Sequence, residues 1–199
     1  MKTLRMYPTS LNDRFLDEAV DVLENGGIII YPTDTLYAMG CDALNNVAIE
    51  RLCKVKGVNP QKQTLSVVCD GLSMASVYAR IDNEAFRILR SNLPGPFTFI
   101  LPAATTLPKV FKGRRTVGVR IPDNPISRAL AERLGHPVLS TSMPQDEEGG
   151  DPSVFADEYA GTASLLIDGG EGEGVPSTVV DLTDSRNPEI IREGKGELV

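Results

Sequence analysis

The residues best suited to chemistry follow apolar runs. Ile28, Ile29, Ile30 and Tyr31 lead through Pro32 into Thr33, Asp34, Thr35 and Tyr37, which carry hydroxyls, a carboxylate and a phenol. β-branched density suits a strand buried on both faces, and polar groups held after such a strand are well placed to meet a ligand. A solvated turn is the plainer alternative. Lys54, Lys56 and Lys62 flank Gly57 and can grip phosphates as compact cations. Thr116, Gly118 and Arg120 fall on one face of an alternating segment, where Arg120 could clamp a carboxylate through two bonds. Ser140, Thr141 and Ser142 end another apolar run, Ser177-Thr178 supply further hydroxyls, and Arg192 closes the last run. Each is as readily structural; joint placement at strand ends gives them weight.

Several chemistries lose support. Neither G-x-x-x-x-G-K-[ST] nor G-x-G-x-x-G is present, so a P-loop and a Rossmann site are not indicated. Cys41, Cys53 and Cys69 are odd in number and lack C-x-x-C spacing, which argues against a disulfide framework or a zinc site. The single histidine, His136, sits between Gly135 and Pro137 and reads as structural, which weakens Ser-His or Cys-His catalysis. No metal site is expected. No apolar run reaches the ~20 residues a bilayer span needs, and no signal segment is evident, so a cytoplasmic location is expected.

The 199 residues fit one domain, residues 1–199, with 41% hydrophobic residues to form its core. A net charge of −7 hides an asymmetry. Residues 51–140 hold 14 of the 20 Lys and Arg but 5 of the 27 Asp and Glu, a local balance of +9; the flanks, with 6 against 22, carry −16. A basic middle within an acidic chain points to a locally held anionic ligand, unless it reflects several solvated helix faces.

The elements that must position these residues alternate. Ser10 can cap a helix with its apolar stripe at Leu16, Ala19, Val20 and Leu23, closed by Gly26 or Gly27. Asn46 can cap a helix through Cys53. Strands are expected at Leu65–Cys69, Phe97–Leu101, Thr116–Ile121, Val138–Met143, Ser164–Ile167, Ser177–Asp181 and Glu189–Arg192. Helices are expected near Ser73, over Asn83 to Arg90, over Ile126 to Leu134 behind an Asn124-Pro125 cap, and from Asp151-Pro152 toward Tyr159. A short helix and loop are expected over 107–115 and an acidic loop over 145–151. The class is α/β: a twisted, open, mixed sheet flanked by helices.

Six motifs carry a resemblance. They are Tyr31-Pro-Thr-Asp-Thr-Leu-Tyr-Ala-Met-Gly40, Lys54-Val-Lys56, Leu93-Pro-Gly-Pro-Phe-Thr98, Thr116-Val-Gly-Val-Arg-Ile-Pro122, Ser177-Thr-Val-Val-Asp181 and Ile191-Arg-Glu-Gly194. In this order they resemble the YrdC/Sua5/YciO family across about residues 10–197. The resemblance implies a twisted α/β sheet with a concave basic face. It also implies a threonylcarbamoyl-AMP synthase-like activity on L-threonine, bicarbonate and ATP with Mg2+, which feeds the t6A modification of tRNA. By the same resemblance Thr33, Thr35 and Tyr37 line a threonine pocket, Arg120 takes the threonine carboxylate, and Ser177 borders the substrate. Lys54, Lys56, Lys62, Thr116, Thr141, Met143 and Arg192 fall on the nucleotide side, with Lys54 and Lys56 the catalytic pair.

The departures from the family pattern are specific. Lys56 stands where the family has Arg, keeping charge but losing the fork. Thr141-Ser-Met143 replaces Ser-x-Asn, exchanging an amide for a thioether that donates no hydrogen bond, and Met143→Asn is the change that would reverse it. Ala38 replaces a glycine. These features are similar to the YciO branch. The alternative function is therefore binding of double-stranded RNA or tRNA at the basic face, with weak synthase activity or hydrolysis of threonylcarbamoyl-AMP.

Overall fold

Ile28, Ile29, Ile30 and Tyr31 are all fully buried, and successive members face opposite sides of one sheet. A strand apolar on both faces needs cover on both, and helices supply it. The computed structural model describes residues 1–60, 62–108, 115–144 and 150–199. Its strands are β1 (Lys2–Arg5), β2 (Ile29–Tyr31), β3 (Ala38–Asp42), β4 (Ser66–Val68) and β5 (Phe97–Pro102). They continue with β6 (Thr116–Arg120), β7 (Val138–Ser142), β8 (Leu165–Asp168), β9 (Thr178–Asp181) and β10 (Glu189–Arg192). The helices are α1 (Asp13–Glu24), α2 (Asn46–Lys56), α3 (Leu72–Tyr78), α4 (Asn83–Asn92), α5 (Pro125–Leu134) and α6 (Pro152–Glu158).

One ten-stranded sheet runs in the order β1-β8-β2-β3-β7-β4-β6-β5-β9-β10. It mixes parallel pairs (β1/β8, β2/β8, β4/β6, β5/β9) with antiparallel ones, as the sequence indicates. One face carries Ile30, Met39, Leu139, Val67, Val119 and Phe99, packed with apolar residues of α2, α3, α4 and α6. The other face is covered at one side only. There α1 (Leu16, Ala19, Val20, Leu23) and α5 (Ile126, Leu130, Leu134) cover Ile29, Tyr31, Leu165 and Ile167. Beyond them, from β3 and β7 across to β10, that face forms the floor of a hollow.

Local signals explain the helix ends. Asn12, not Ser10, caps α1 by accepting from the Phe15 N–H at 3.1 Å, and Asn45, not Asn46, caps α2 by accepting from Ala48 at 3.0 Å. Gly57 ends α2 at φ 63°, a left-handed cap that a side chain would strain. Asn124 and Pro125 start α5, and Gly135 stops it at φ 81°, as expected. Two strands go beyond the sequence reading. β3 is rich in small residues and pairs back on β2 as a hairpin, whereas β1 is a polar edge strand in which only Leu4 is buried. The elements expected over 107–115 and 145–151 fall largely on residues 109–114 and 145–149, outside the described residues.

His136 has a structural role. Its Nε2 lies 2.7 Å from Asp42 Oδ1 at the end of β3, and the Leu44 N–H donates to the same oxygen at 2.7 Å. Burial pushes the Asp42 carboxyl up, but the bonds from His136 and Leu44 and the imidazole charge outweigh it and hold the carboxyl below its usual range. The stability this adds is present above the unfolded carboxyl value of about 3.9 and is lost as pH falls through the lower folded value. Asp42→Asn is expected to lower the melting temperature at pH 7. Melts across pH should show the gap to wild type closing below about pH 4.

Candidate functional site

Arg120 ends β6 on the uncovered face, and its residue is only 5% exposed. A guanidinium that deep must be answered by a charge and by acceptors. Its Nη2 donates to Asp34 Oδ1 at 2.9 Å and to Thr35 Oγ1 at 2.9 Å. Asp34 is fixed in turn: Oδ2 accepts from the Asp123 N–H at 2.8 Å, and its backbone carbonyl accepts from Lys195 Nζ at 2.8 Å. Lys195 also pairs with Glu173. Burial pulls the guanidinium down from its ordinary value, and the Asp34 charge opposes that. Nε is buried without a partner among the described residues.

Thr33 shapes the loop that presents Asp34. Its Oγ1 donates to the Leu36 carbonyl at 2.7 Å and accepts from the Thr35 N–H at 3.1 Å. Arg192, at the end of β10, donates through Nη2 to the Ser177 carbonyl at 2.7 Å and lies 3.3 Å from its Oγ. The Ser177 hydroxyl also bonds Thr98 Oγ1 at 2.9 Å.

Arg120, Arg192 and Ser177 line a cavity of about 360 Å³, within the ~300–1,000 Å³ typical of small-molecule sites. Its floor is a row of small residues, among them Ala38, Ser66 and Ser140, drawn from adjacent strands. Next to them Gly118 makes room for the Ser66 side chain: a Cβ there would stand 2.6 Å from Ser66 Oγ. Apolar Leu52, Val58 and Leu65 close another part, with Lys56 beside them. Burial lowers the Lys56 ammonium from its ordinary value and Glu158 partly offsets that.

The residues singled out by sequence therefore separate. Arg120, Ser177, Arg192, Lys56 and Thr141 line the cavity. Thr35 stands behind it as a partner of Arg120, and Thr33 behind Thr35. Lys54 and Lys62 are exposed and not among the lining residues; Lys54 and Lys56 are two apart on α2 and so project differently. Thr116 opens β6 opposite Pro102, outside the lining. Tyr37 is buried: its hydroxyl donates to the Gly170 carbonyl at 2.6 Å and accepts from the Gly169 N–H at 3.0 Å. Its ring meets Phe155 at 5.6 Å. Met143 is 2% exposed and packs in the same apolar cluster as Tyr37 and Phe155. Met143 follows directly on the end of β7, and its side chain is not part of the cavity lining.

Three participants escape the sequence reading: Asp34 as the partner of Arg120, Thr98 as the partner of Ser177, and Lys195. Lys195 follows directly on the Ile191–Gly194 motif, which is the one signal that could have flagged it. The others are long-range contacts. Among the described residues no group of three or more His, Cys, Asp or Glu is placed to hold a metal, and no helix is long and apolar enough to cross a membrane.

The Sua5/yciO/yrdC family model, described as "Telomere recombination", matches residues 21–194. The chain is 39% identical over 198 residues to YciO of Escherichia coli K12, covering 97% of this chain and 95% of that protein. It is 32% identical over 166 residues to the threonylcarbamoyl-AMP synthase of Methylobacillus flagellatus, covering 80% of this chain and 91% of that protein. The crystal structure of E. coli YciO matches with a TM-score of 0.91 at 38% identity, over 99% of this chain and 98% of that one. P. abyssi Sua5 complexed with L-threonine matches with a TM-score of 0.85 at 29% identity, over 97% of this chain and 57% of that one.

Two substitutions test this geometry by chemical denaturation. Asp34→Ala leaves Arg120 buried without its counter-charge and is expected to cost about 3–5 kcal/mol. Met143→Asn puts an amide into apolar packing and is expected to cost about 1–3 kcal/mol. A Met143→Asn protein as stable as wild type would show that position 143 reaches solvent or a polar partner.

Proposed function

Because the chain belongs to the Sua5/YciO/YrdC family, we propose that it is a threonylcarbamoyl-AMP synthase-like enzyme acting on L-threonine, bicarbonate and ATP. The observation that carries the reading is the buried, Asp34-anchored Arg120 in a cavity shared with Arg192 and Ser177. A guanidinium held rigidly at a cavity wall suits a small carboxylate. The P. abyssi Sua5 complexed with L-threonine supports threonine as that carboxylate.

In this reading bicarbonate would lose hydroxide to give CO2, the threonine amine would add to CO2 to give a carbamate, and the proton released would neutralise that hydroxide as water. A carbamate oxygen then attacks the α-phosphorus of ATP; the new P–O bond forms as the bond to pyrophosphate breaks. Such a transfer depends on alignment and on meeting negative charge. Arg120 and Ser177, with Thr33, Thr35 and Tyr37 supporting the loop, would hold the amino acid. Lys56 and Arg192 would face the phosphates, Lys54 and Lys62 would draw the triphosphate in from outside, and Thr141 would border the nucleotide. Mg2+ would arrive as part of MgATP, held by phosphate oxygens and water. The product would serve t6A formation on tRNA.

Double-stranded RNA or tRNA at the concave face is the second reading, motivated by the +9 balance of residues 51–140. What favours the small molecule is the depth of Arg120, which a duplex backbone cannot approach. Lys109, Lys112 and Arg114, which bear on the RNA reading, lie outside the described residues.

Purified protein given MgATP, bicarbonate and labelled L-threonine is expected to form labelled threonylcarbamoyl-adenylate and pyrophosphate. Arg120→Ala should lower kcat/KM for threonine at least tenfold, the scale of one lost charge-assisted bond. Folded wild-type protein that neither makes nor consumes the adenylate would overturn the synthase reading.

A further inference from the structure

Both side-chain acceptors of Arg120 hang from one peptide unit. The Asp34 carboxylate precedes that unit and the Thr35 hydroxyl follows it. The unit is held at each end: the Thr35 N–H donates to Thr33 Oγ1 at 3.1 Å, and the Asp34 carbonyl accepts from Lys195 Nζ at 2.8 Å. A rotation of this peptide would carry both acceptors away from the guanidinium. Thr33 belongs to the same turn, so its bond shapes the turn alone. Lys195, 161 positions away, ties the peptide to another wall of the cavity.

That wall is the one built by Ser177 and Arg192. The Lys195 N–H donates to the carbonyl of Pro176, next to Ser177, at 2.9 Å. A Cβ at Gly194 would overlap the same carbonyl oxygen, so the chain before Lys195 lies directly against the residues leading into Ser177. Lys195 is thus fastened by its main chain to one side of the cavity and by its ammonium to the other, while its side chain is not part of the lining. Glu173, between β8 and β9, pairs with the ammonium; the two side chains are 60% and 32% exposed. Ion pairs so open to water add little to stability, so what Glu173 supplies is a direction for the ammonium.

We propose that Lys195 is a positioning residue for the amino-acid end of this site: spanning from the Ser177–Arg192 wall to the Asp34–Thr35 peptide, it sets the direction of Arg120, and Glu173 aligns its ammonium. The proposal rests on the reading of the cavity as an L-threonine site and adds to it a residue that acts only through Arg120.

L-Threonine and MgATP are titrated separately, by calorimetry, into wild type, Lys195→Met, Lys195→Arg, Glu173→Gln and the Lys195→Met/Glu173→Gln double variant, each well below its melting temperature. Lys195→Met is expected to bind L-threonine about tenfold more weakly, the scale of one charge-assisted bond, and MgATP within about twofold of wild type. Lys195→Arg, which keeps a cationic donor, should restore most of the threonine affinity. Glu173→Gln should weaken threonine binding about two- to fivefold. The double variant should be no weaker than Lys195→Met, because Glu173 acts through Lys195. In nitrogen–proton NMR spectra without ligand, the buried Arg120 Nε–H should give an exchange-protected signal that shifts or broadens in Lys195→Met and returns in Lys195→Arg. A residue serving stability alone would lower the melting temperature and leave that signal and the contrast between the two ligands unmoved. Lys195→Met that binds L-threonine as tightly as wild type, weakens both ligands equally, or leaves the Arg120 signal in place would overturn the proposal. A double variant weaker than Lys195→Met by the full Glu173→Gln loss would overturn the part assigned to Glu173. Wild type that takes up threonine but not MgATP is judged on the threonine affinity and the Arg120 signal. Wild type that binds threonine and shows the Lys195 effect but makes no adenylate defeats the synthase reading alone, and wild type that binds no L-threonine overturns both.

Discussion

The ion pair between Arg120 and Asp34 is the constraint on which the site depends. Removing both charges from water costs several kcal/mol per ion, and their attraction repays it only with further hydrogen bonds. The structure meets that condition from several directions. Thr35 shares the guanidinium, the Asp123 N–H takes the second carboxylate oxygen, and Lys195 holds the loop by its backbone carbonyl. Segments from the start, middle and end of the chain are thereby joined at one point. A well-packed apolar pair would be no less stable, so the charges are better understood through what they present to the cavity.

The cavity follows from incomplete cover. Helices α1 and α5 bury one side of the sheet face as far as Val138 of β7 and Val68 of β4, and among the described residues that apolar cluster takes in none from β6, β5, β9 or β10. A bare sheet of large apolar residues would be an aggregation hazard. Here the strands contribute mostly small or polar residues to the lining, Ala38, Ser66, Thr98, Ser140 and Ser177 among them, beside Ile100 and Val179. The opposite face carries the continuous apolar layer, including Met39, Leu139, Val119 and Phe99, and makes the sheet rigid. The same period of two that sends Leu139 into the core brings Ser140 to the cavity.

Helical spacing and cap residues made much of the architecture legible in the sequence. Leu16, Ala19, Val20 and Leu23 mark α1, and Asn124-Pro125 with Gly135 bracket α5. β3 was illegible because Ala38, Met39, Gly40 and Cys41 lack the β-branched density that marks β2; its strand character comes from pairing with β2 and β7. At the site, sequence identified Arg120, Ser177, Arg192 and Lys56, whose charge or hydroxyl stands out locally. It could not identify Asp34 as Arg120's partner, 86 positions away, nor Tyr31 as Ser140's, 109 away. Residue types announce capacity; only topology pairs them. Met143 shows the converse, since a motif position near the chemistry lies one strand step from it, on the packed face.

The division of labour among the cations follows from their partners. Arg120 is answered by Asp34, so little of its charge is left for a ligand; what it offers is a fixed direction. Arg192 meets only the carbonyl and hydroxyl of Ser177, and no carboxylate lies within 4 Å of it among the described residues. Lys56 feels Glu158 at a distance but forms no ion pair among the described residues, and burial already destabilises its charge. Lys56, partly desolvated, gains from an arriving anion because part of the cost of burial has been met during folding, whereas Arg192 is exposed and offers its charge without that cost. The attraction for negative charge therefore resides in Arg192 and Lys56, whereas orientation resides in Arg120, Ser177 and the hydroxyl floor. A ligand satisfying both must carry a compact acceptor group for the rigid end and a further negative charge for the two unpaired cations.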